Sequence, residues 1–249
     1  MTTQLIKLCY RNILETGNVS VTDQNNSFPS YRLYDRDIGK LFKGNSAGNN
    51  NTFTIQVDQS ANNAYDVDRL IIPVGHSLNG LPLALSHSND GNNWTPALNS
   101  WNATASKVDS SFNNTVKRYW KLEITTANNA PEMPEMFLTK EYQFERNPNY
   151  GLEDGKKKNI LSDETQSGLV RLVKFGEPRR FRTYQLTKIG DNQKTNLESW
   201  DNHCEGIKAL YLIDHQNDAF FAWLTTKDLI FAMEHENRWS VRMEFLEVL

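Results

Sequence analysis

Asp35, Asp37 and Trp101 are the side chains in the first half of the chain whose types could bind a ligand. Asp35 and Asp37 are separated by one residue and supply carboxylate oxygens, but calcium takes six to eight oxygen ligands, so two acids predict a turn with solvated carboxylates and no metal. Trp101 lies in a polar segment rich in Asn and Ser, between Trp94 and Val116. Its indole could stack on a sugar ring or cap the open end of a packed domain, and burial is the commoner use of tryptophan.

The sequence contains no motif typical of an enzyme. A nucleophile elbow, a Walker loop, a dinucleotide fingerprint and a His-Glu-x-x-His helix are all absent. His203 and Cys204 are neighbours on a predicted helix, where side chains point about 100° apart, so that helix cannot direct both at one metal. The sequence leaves open a pair of Asp or Glu side chains that comes together only in the fold, as in a glycosidase. We therefore expect a protein that is not an enzyme and needs no cofactor.

Composition narrows the class of protein further. The chain has 249 residues, enough for two domains or one large β-domain, and a formal net charge of -3 that does not favour nucleic acid as a partner. The short basic run at 156–158 is interpreted as a solvated loop. Cys9 and Cys204 make no disulfide framework, which suits folding in a reducing cytoplasm. Neither a signal peptide nor a membrane span is expected.

The first half of the chain has the pattern of a β-sandwich. Apolar residues alternate at 51–58, at 67–73 and again at 118–124, with turn residues between these segments. A hairpin is predicted at 83–96, because Asn89-Asp90-Gly91 supplies residues that tolerate a positive φ between two strands. Trp94 follows this turn, and we expect its side chain to pack inside the core.

The hairpin and its flanking strands resemble, in the same order, the discoidin family, whose fold is the galactose-binding-like jelly roll. The resemblance covers residues 10–145 and implies an N-terminal jelly-roll β-sandwich at 1–147. It also implies a calcium ion near the loop of Asp35 and Asp37, as family members often hold one there. Because such folds bind ligands at that end, the resemblance makes Asp35, Asp37 and Trp101 the candidate carbohydrate-binding residues.

The second half of the chain predicts another β-rich domain with one helix, at 152–249. Gly, Pro and Asn at 147–151 are typical of a linker. A helix is predicted at 192–204, capped by Asp191 and buried along Leu197, Trp200 and Cys204. A strand hairpin precedes it and four strands follow, so the fold class is mainly β: a jelly roll plus a β-sandwich or barrel-like domain.

This second pattern and its final strand resemble the hub or tube-like domains of bacteriophage tail proteins. The resemblance implies a structural subunit of a phage tail tip or baseplate, assembled in the host cytoplasm and located in the virion. It would form a homo-oligomeric ring and contact other tail proteins. The alternative is a carbohydrate-binding module for adhesion to a host glycan, and an enzyme-accessory domain comes third.

A cluster of arginines opposite a line of glutamates suggests how such a ring would close. Arginine beside aromatic residues is enriched in interface cores, and unlike patches that meet head to tail can form a ring. The alternative is that these arginines are solvated. The predicted interface residues are Arg179, Arg180, Arg182, Glu244 and Glu247.

Overall fold

The structure is a computed structural model that describes residues 4–45, 52–60, 64–126, 130–148, 153–158, 160–164, 170–174, 176–226 and 228–248. The chain divides into two compact units. The sandwich unit is Arg11–Glu141, and the split unit combines Met1–Tyr10 with Tyr142–Leu249. No helix in the described ranges is long and apolar enough to span a membrane.

Strands dominate both units. The helices are α1 Ile13–Thr16 and α2 Asp191–Cys204, with a 3-10 turn at Ser30–Leu33. The strands are β1 Lys7–Cys9, β2 Asn18–Val21, β3 Phe42–Lys43, β4 Thr52–Asp58, β5 Asp66–Ile72, β6 Pro82–Ser88, β7 Thr95–Asn102, β8 Val108–Val116, β9 Tyr119–Thr125, β10 Glu132–Met133, β11 Phe137–Thr139, β12 Tyr142–Gln143, β13 Glu153–Lys157, β14 Ile160–Glu164, β15 Val170–Lys174, β16 Arg179–Ile189, β17 Leu210–Ile213, β18 Ala219–Leu224, β19 Phe231–His235 and β20 Arg238–Glu247. The prediction of a mainly β fold is confirmed.

The sandwich unit encloses its core between two antiparallel sheets. One has the order β2-β4-β9-β6-β7 and the other β11-β5-β8, with β10-β3 as a separate pair. Successive side chains of a strand point to opposite faces, so one face of each sheet can be wholly apolar. Phe53 and Ile55 from the first sheet and Leu70 and Ile72 from the second belong to one buried cluster. The predicted N-terminal β-sandwich is therefore present.

The predicted hairpin is formed by β6 and β7, but its tryptophan lies outside the core. Trp94 is half-buried, and the ammonium of Lys121 lies 4.5 Å from its ring centroid. On β9 the side chain of Trp120 points inward and is fully buried, whereas that of Lys121 lies on the outer face. The expectation that Trp94 fills the core is wrong, because the residue precedes β7 on the outer side of the sheet.

Paired substitutions test this assignment of the two tryptophans. Trp120→Ala should lower the free energy of unfolding by about 3–5 kcal/mol, the cost of emptying a buried aromatic site. Trp94→Ala should cost only about 1 kcal/mol, since it removes a partly exposed ring and one cation–π contact. Urea denaturation of the two variants measures both values. Equal losses would contradict the assignment.

The split unit contains one eight-stranded antiparallel sheet. Its order is β12-β1-β17-β18-β20-β16-β13, and β19 also pairs with β20. Strand β1 lies in its interior: Leu8 is opposite Tyr142 on one side and Leu212 on the other. The division therefore differs from the predicted ranges 1–147 and 152–249. Both the first strand and residues 142–147 belong with the C-terminal half, because their backbone hydrogen bonds and buried side chains, such as Phe144, are in this unit.

Helix α2 begins one residue before the predicted 192 and ends at the predicted Cys204, and Leu197, Trp200 and Cys204 are all buried as predicted. Its N-cap differs from the prediction. Gly190 is the N-cap residue, and Asp191 is the first residue within the helix. The carboxylate of Asp191 accepts a hydrogen bond from Trp239 Nε1 at 2.7 Å, so it is used in a tertiary contact.

Two parts of the split unit differ from the predicted outline. Strands β13 and β14 were not predicted, and the lysines at 156 and 157 lie exposed on β13 and not in a loop. Strand β15 pairs with β14 as a separate two-stranded sheet. The predicted linker at 147–151 lies partly outside the described residues, since 149–151 are not described.

Candidate functional site

The loop of Asp35 and Asp37 uses its carboxylates to hold itself together. Asp35 Oδ1 accepts the backbone N–H of Asp37 at 3.0 Å, and Asp37 Oδ1 accepts that of Gly39 at 3.1 Å. Asp37 Oδ2 also pairs with Lys40 Nζ at 2.8 Å, which lowers the pKa of Asp37, whereas burial raises that of Asp35. These acids form the turn that the sequence predicts.

Trp101 is not brought together with these two acids. It lies on β7 opposite Leu83, is half-buried, and packs against the core of the sandwich. This agrees with the alternative in which the ring covers the end of the core. Among the described residues, no hydrogen bond or ion pair joins Trp101 to Asp35 or Asp37. A carbohydrate site made of these three residues stays a prediction.

A buried carboxyl group lies beside this loop. Glu135 is fully buried, and its Oε2 accepts the backbone N–H of Arg36 at 3.1 Å. Burial raises the pKa of Glu135 to about 9, while the nearby Arg36 opposes the shift. The guanidinium of Arg36 pairs with Glu15 and lies 4.4 Å from the ring centroid of Phe137. The loop therefore carries its own cation.

The calcium ion implied by the discoidin resemblance does not fit the residues present. No group of three or more His, Cys, Asp or Glu side chains in the described ranges is placed to hold a metal. Asp35 and Asp37 already accept backbone hydrogen bonds, and Asp37 also pairs with the ammonium of Lys40. Calcium takes six to eight oxygen ligands, and this set does not supply them.

Glu135 should make stability fall as the pH rises. Its pKa is about 9 in the folded chain and near 4.5 when unfolded, so between these values only the folded chain keeps the proton. The free energy of unfolding should therefore fall by up to about 1.4 kcal/mol per pH unit from this group. Glu135→Gln should remove that slope between about pH 5 and pH 8 in thermal unfolding.

The same measurement with added calcium provides the control. An ion bound to Glu135 would keep the carboxylate charged and remove the slope in the unmodified chain. That result, or an equal slope in the Glu135→Gln variant, would contradict the assignment of a protonated acid.

The β6–β7 hairpin borders a polar cavity of about 180 Å³ at one end of the sandwich unit. At about 30 Å³ for each water, this is the space of about six water molecules, enough for one sugar residue. The lining contains no apolar side chain. It consists of His87, Ser88, Asn89, Asp90, Asn93, Thr95 and Lys117.

Hydrogen bonds to the backbone hold the wall that carries Lys117. The carbonyl oxygen of Lys117 accepts from Gln59 Nε2 at 3.0 Å and from Trp120 Nε1 at 3.2 Å. Gln59 is itself buried, and its backbone N–H donates to the carbonyl of Arg118 at 2.9 Å. Arg118 in turn makes two hydrogen bonds to Asp58, at 2.8 and 2.9 Å. This turn between β8 and β9 is thus fixed from within the core.

Asp90 organises the opposite wall. Its Oδ1 accepts from the hydroxyl of Ser88 at 2.8 Å and from the backbone N–H groups of Asn92 and Asn93 at 2.9 and 2.8 Å. Its Oδ2 accepts from Asn93 Nδ2 at 2.7 Å. These hydrogen bonds hold the pKa of Asp90 well below its usual range. Gly91 completes the loop with a φ of 75°, a conformation that favours glycine.

His87 gives the cavity a neutral ring with a donor and an acceptor. Its imidazole meets the Trp120 ring edge-on, with centroids 5.4 Å apart. Burial, and then the charge of Lys117, lower the pKa of His87, so the ring is uncharged at neutral pH. A neutral imidazole, amides and hydroxyls are the groups that pair with sugar hydroxyls. The sequence indicated this hairpin by its turn but gave no sign that its side chains surround a cavity.

A larger cavity of about 550 Å³ lies within the split unit. It is next to the first residues of α2 and the turn between β19 and β20. Three carboxylates, from Glu145, Asp191 and Glu236, line it with a single guanidinium from Arg238. This acidic lining suits a cation better than uncharged hydroxyl groups. The smaller cavity in the sandwich unit is therefore the better candidate for a sugar.

The predicted interface arginines find their acids within the same chain. Arg180 bonds to Glu247 at 2.6 and 2.9 Å and to Asp218 at 2.5 Å. Arg182 is buried and pairs with Asp214. Arg179 lies 5.6 Å from the Trp223 ring centroid, and Glu244 pairs with Arg242 at 3.1 Å. The interface stays a prediction, but Arg180 and Arg182 do not need a neighbouring chain to satisfy their charges.

Arg182 should therefore matter for folding. Arg182→Met leaves the buried carboxylate of Asp214 without its cation, so the free energy of unfolding should fall by about 3–5 kcal/mol. Arg242→Met is the matched control, because its exposed pairs contribute no more than about 1 kcal/mol. Denaturant melts measure both variants. An altered oligomeric state with unchanged stability in the Arg182 variant would instead favour the interface.

No protein-family model and no curated protein sequence matches this chain. Solved structures resemble about half of it. A chitosan-binding module from a chitosanase/glucanase of Paenibacillus sp. IK-5 is 14% identical with a TM-score of 0.45, and covers 52% of this chain and 99% of its own. A pectin-binding carbohydrate-binding module is 15% identical with a TM-score of 0.41, and covers 49% and 89%.

A third structure is a GH29 fucosidase of Ruminococcus gnavus in complex with fucose. It is 16% identical with a TM-score of 0.45, and the match covers 53% of this chain and 27% of the fucosidase. Likenesses this low carry no argument about this chain, whose architecture follows from its own strand pairing. None of the three structures is named as a tail protein, so they do not support the predicted tail hub.

Proposed function

We propose that this chain is a carbohydrate-binding protein without catalytic activity, and that the sandwich unit holds one sugar residue in the hairpin cavity. The observation that carries the proposal is the all-polar lining of a cavity of about 180 Å³. Hydroxyl groups surround the edge of a sugar ring, and each hydroxyl can donate and accept a hydrogen bond. A lining of amide, hydroxyl and imidazole groups offers both roles.

The rigidity of the two walls supports the same proposal. Binding costs free energy when side chains and loops must be ordered, and a preorganised site avoids part of that cost. One wall is fixed by Gln59 and Trp120 through the Lys117 carbonyl, and the other by Asp90. Two of the solved structures named above are saccharide-binding modules by name, which agrees with the proposal without carrying it.

The tail-subunit hypothesis stays a separate prediction. It expects a ring of this chain, contacts with other tail proteins and a place in the virion, and no described contact favours it over a binding protein. The two functions are compatible, since an adhesion module can be part of a particle. Self-association is therefore not a test of the carbohydrate proposal.

A glycan array probed with the full chain tests the proposed function. We expect at least one bound saccharide class, and Asn89→Ala should weaken that binding by roughly 3- to 10-fold, the value of one lost hydrogen bond of about 0.5–1.5 kcal/mol. Asn99→Ala is the matched control, an exposed asparagine on β7 that does not line the cavity. Its binding should equal that of the unmodified chain.

The array also separates the two candidate locations. The double variant Asp37→Ala, Trp101→Ala should bind like the unmodified chain if the hairpin cavity is the site. Binding lost in that variant and kept in Asn89→Ala would place the sugar at the predicted loop instead. No bound glycan at all would argue against carbohydrate binding.

A further inference from the structure

Lys117 gives the hairpin cavity a charge that selects among sugars. Resting on the proposed function, we propose that the cavity binds an anionic saccharide, and that the ammonium of Lys117 contacts the carboxylate of a uronic acid residue. A cation at the end of a polar cavity can make a charge-assisted hydrogen bond to a carboxylate on a sugar ring. Lys117 is the cationic side chain in this lining.

The acids near Lys117 are already used by other groups. Asp58 takes two hydrogen bonds from Arg118. Asp90 lines the cavity, but three donors bond its Oδ1 and a fourth bonds its Oδ2. Within the part of the chain that the structure describes, no carboxylate lies in ion-pair contact with Lys117. Its ammonium is therefore available to a ligand.

The position of Lys117 is fixed where its side chain begins. The two hydrogen bonds to its carbonyl, from Gln59 and Trp120, hold the backbone of the turn. The stem therefore starts at a defined point beside His87, whose neutral ring adds no second positive charge. The carboxylate of Asp90 also lines the cavity, but its oxygens are bonded within their own loop. The cation of Lys117, with the uncharged groups of His87, Asn89 and Thr95, matches a sugar with one acidic group and several hydroxyls.

Arg118 and Lys121 are the neighbouring cations that could have served instead. The guanidinium of Arg118 is occupied by Asp58, and Lys121 pairs with Glu123 at 3.1 Å on the outer face of the sheet. Neither residue lines the cavity. The charge preference should therefore depend on Lys117 alone.

Titration calorimetry of the full chain with matched sugars tests the inference. Galacturonate and galactose differ in the group at one carbon, a carboxylate against a hydroxymethyl. We expect galacturonate to bind about tenfold more tightly at low salt, since a hydrogen bond to a charged group contributes about 1.5 kcal/mol or more. Lys117→Gln should abolish the difference, Lys117→Arg should keep it, and Lys40→Gln should leave it unchanged.

The possible results distinguish the charge preference from carbohydrate binding itself. Equal binding of galacturonate and galactose, unaffected by Lys117→Gln but weakened by Asn89→Ala, overturns the charge preference and leaves carbohydrate binding intact. If neither galacturonate nor galactose binds, and the glucuronate–glucose pair and galactose 6-sulfate do not bind either, both the charge preference and carbohydrate binding are contradicted. Galactose 6-sulfate binding that depends on Lys117 supports an anionic sugar and identifies a sulfate as the preferred group. Thermal unfolding of each variant verifies that it is folded.

Discussion

The buried ring of Trp120 is the contact on which both the sandwich core and the cavity depend. Its side chain is fully buried on β9, and its ring packs against Phe112 with centroids 5.6 Å apart. The indole N–H of the same residue donates to the carbonyl of Lys117, and its ring meets His87. Tryptophan suits this position because it joins a large apolar surface to one polar group. The packing that stabilises the sandwich therefore also sets the geometry of the cavity.

The split unit depends on a different constraint, the pairing of strands far apart in the sequence. β1 supplies three residues to the interior of an eight-stranded sheet and contacts strands that begin more than a hundred residues later. Buried charges in the split unit are also paired between separate strands and turns, as Arg182 pairs with Asp214. An unmatched buried charge is costly, so each of the two residues depends on the other.

Local patterns predicted much of this fold, and long-range pairing explains what they missed. Alternation at 51–58 and 118–124 predicted β4 and β9, and the helical spacing of Leu197 and Trp200 predicted α2. A strand of three residues such as β1 is too short to show a two-residue period. Its own sequence also does not indicate which strands it pairs with. The core tryptophan is Trp120, which lies on the inward face of β9, and which face of a strand is inward depends on the strand register.

The acids of the predicted site show that residue type alone does not separate a ligand-binding aspartate from one that forms a turn. Asp35 and Asp37 each accept the N–H of the residue two positions later, as do Asp58, Asp90 and Asp214. This is the Asx turn, a local use of aspartate that needs no ligand. An aspartate in an Asn- and Gly-rich loop is therefore first a turn-former. The groups left for a ligand are those with no such local use, and in the hairpin cavity these include His87, Asn89, Thr95 and Lys117. Their side chains converge only because the β6–β7 and β8–β9 turns meet at one end of the sandwich, an arrangement that follows from the order of the strands.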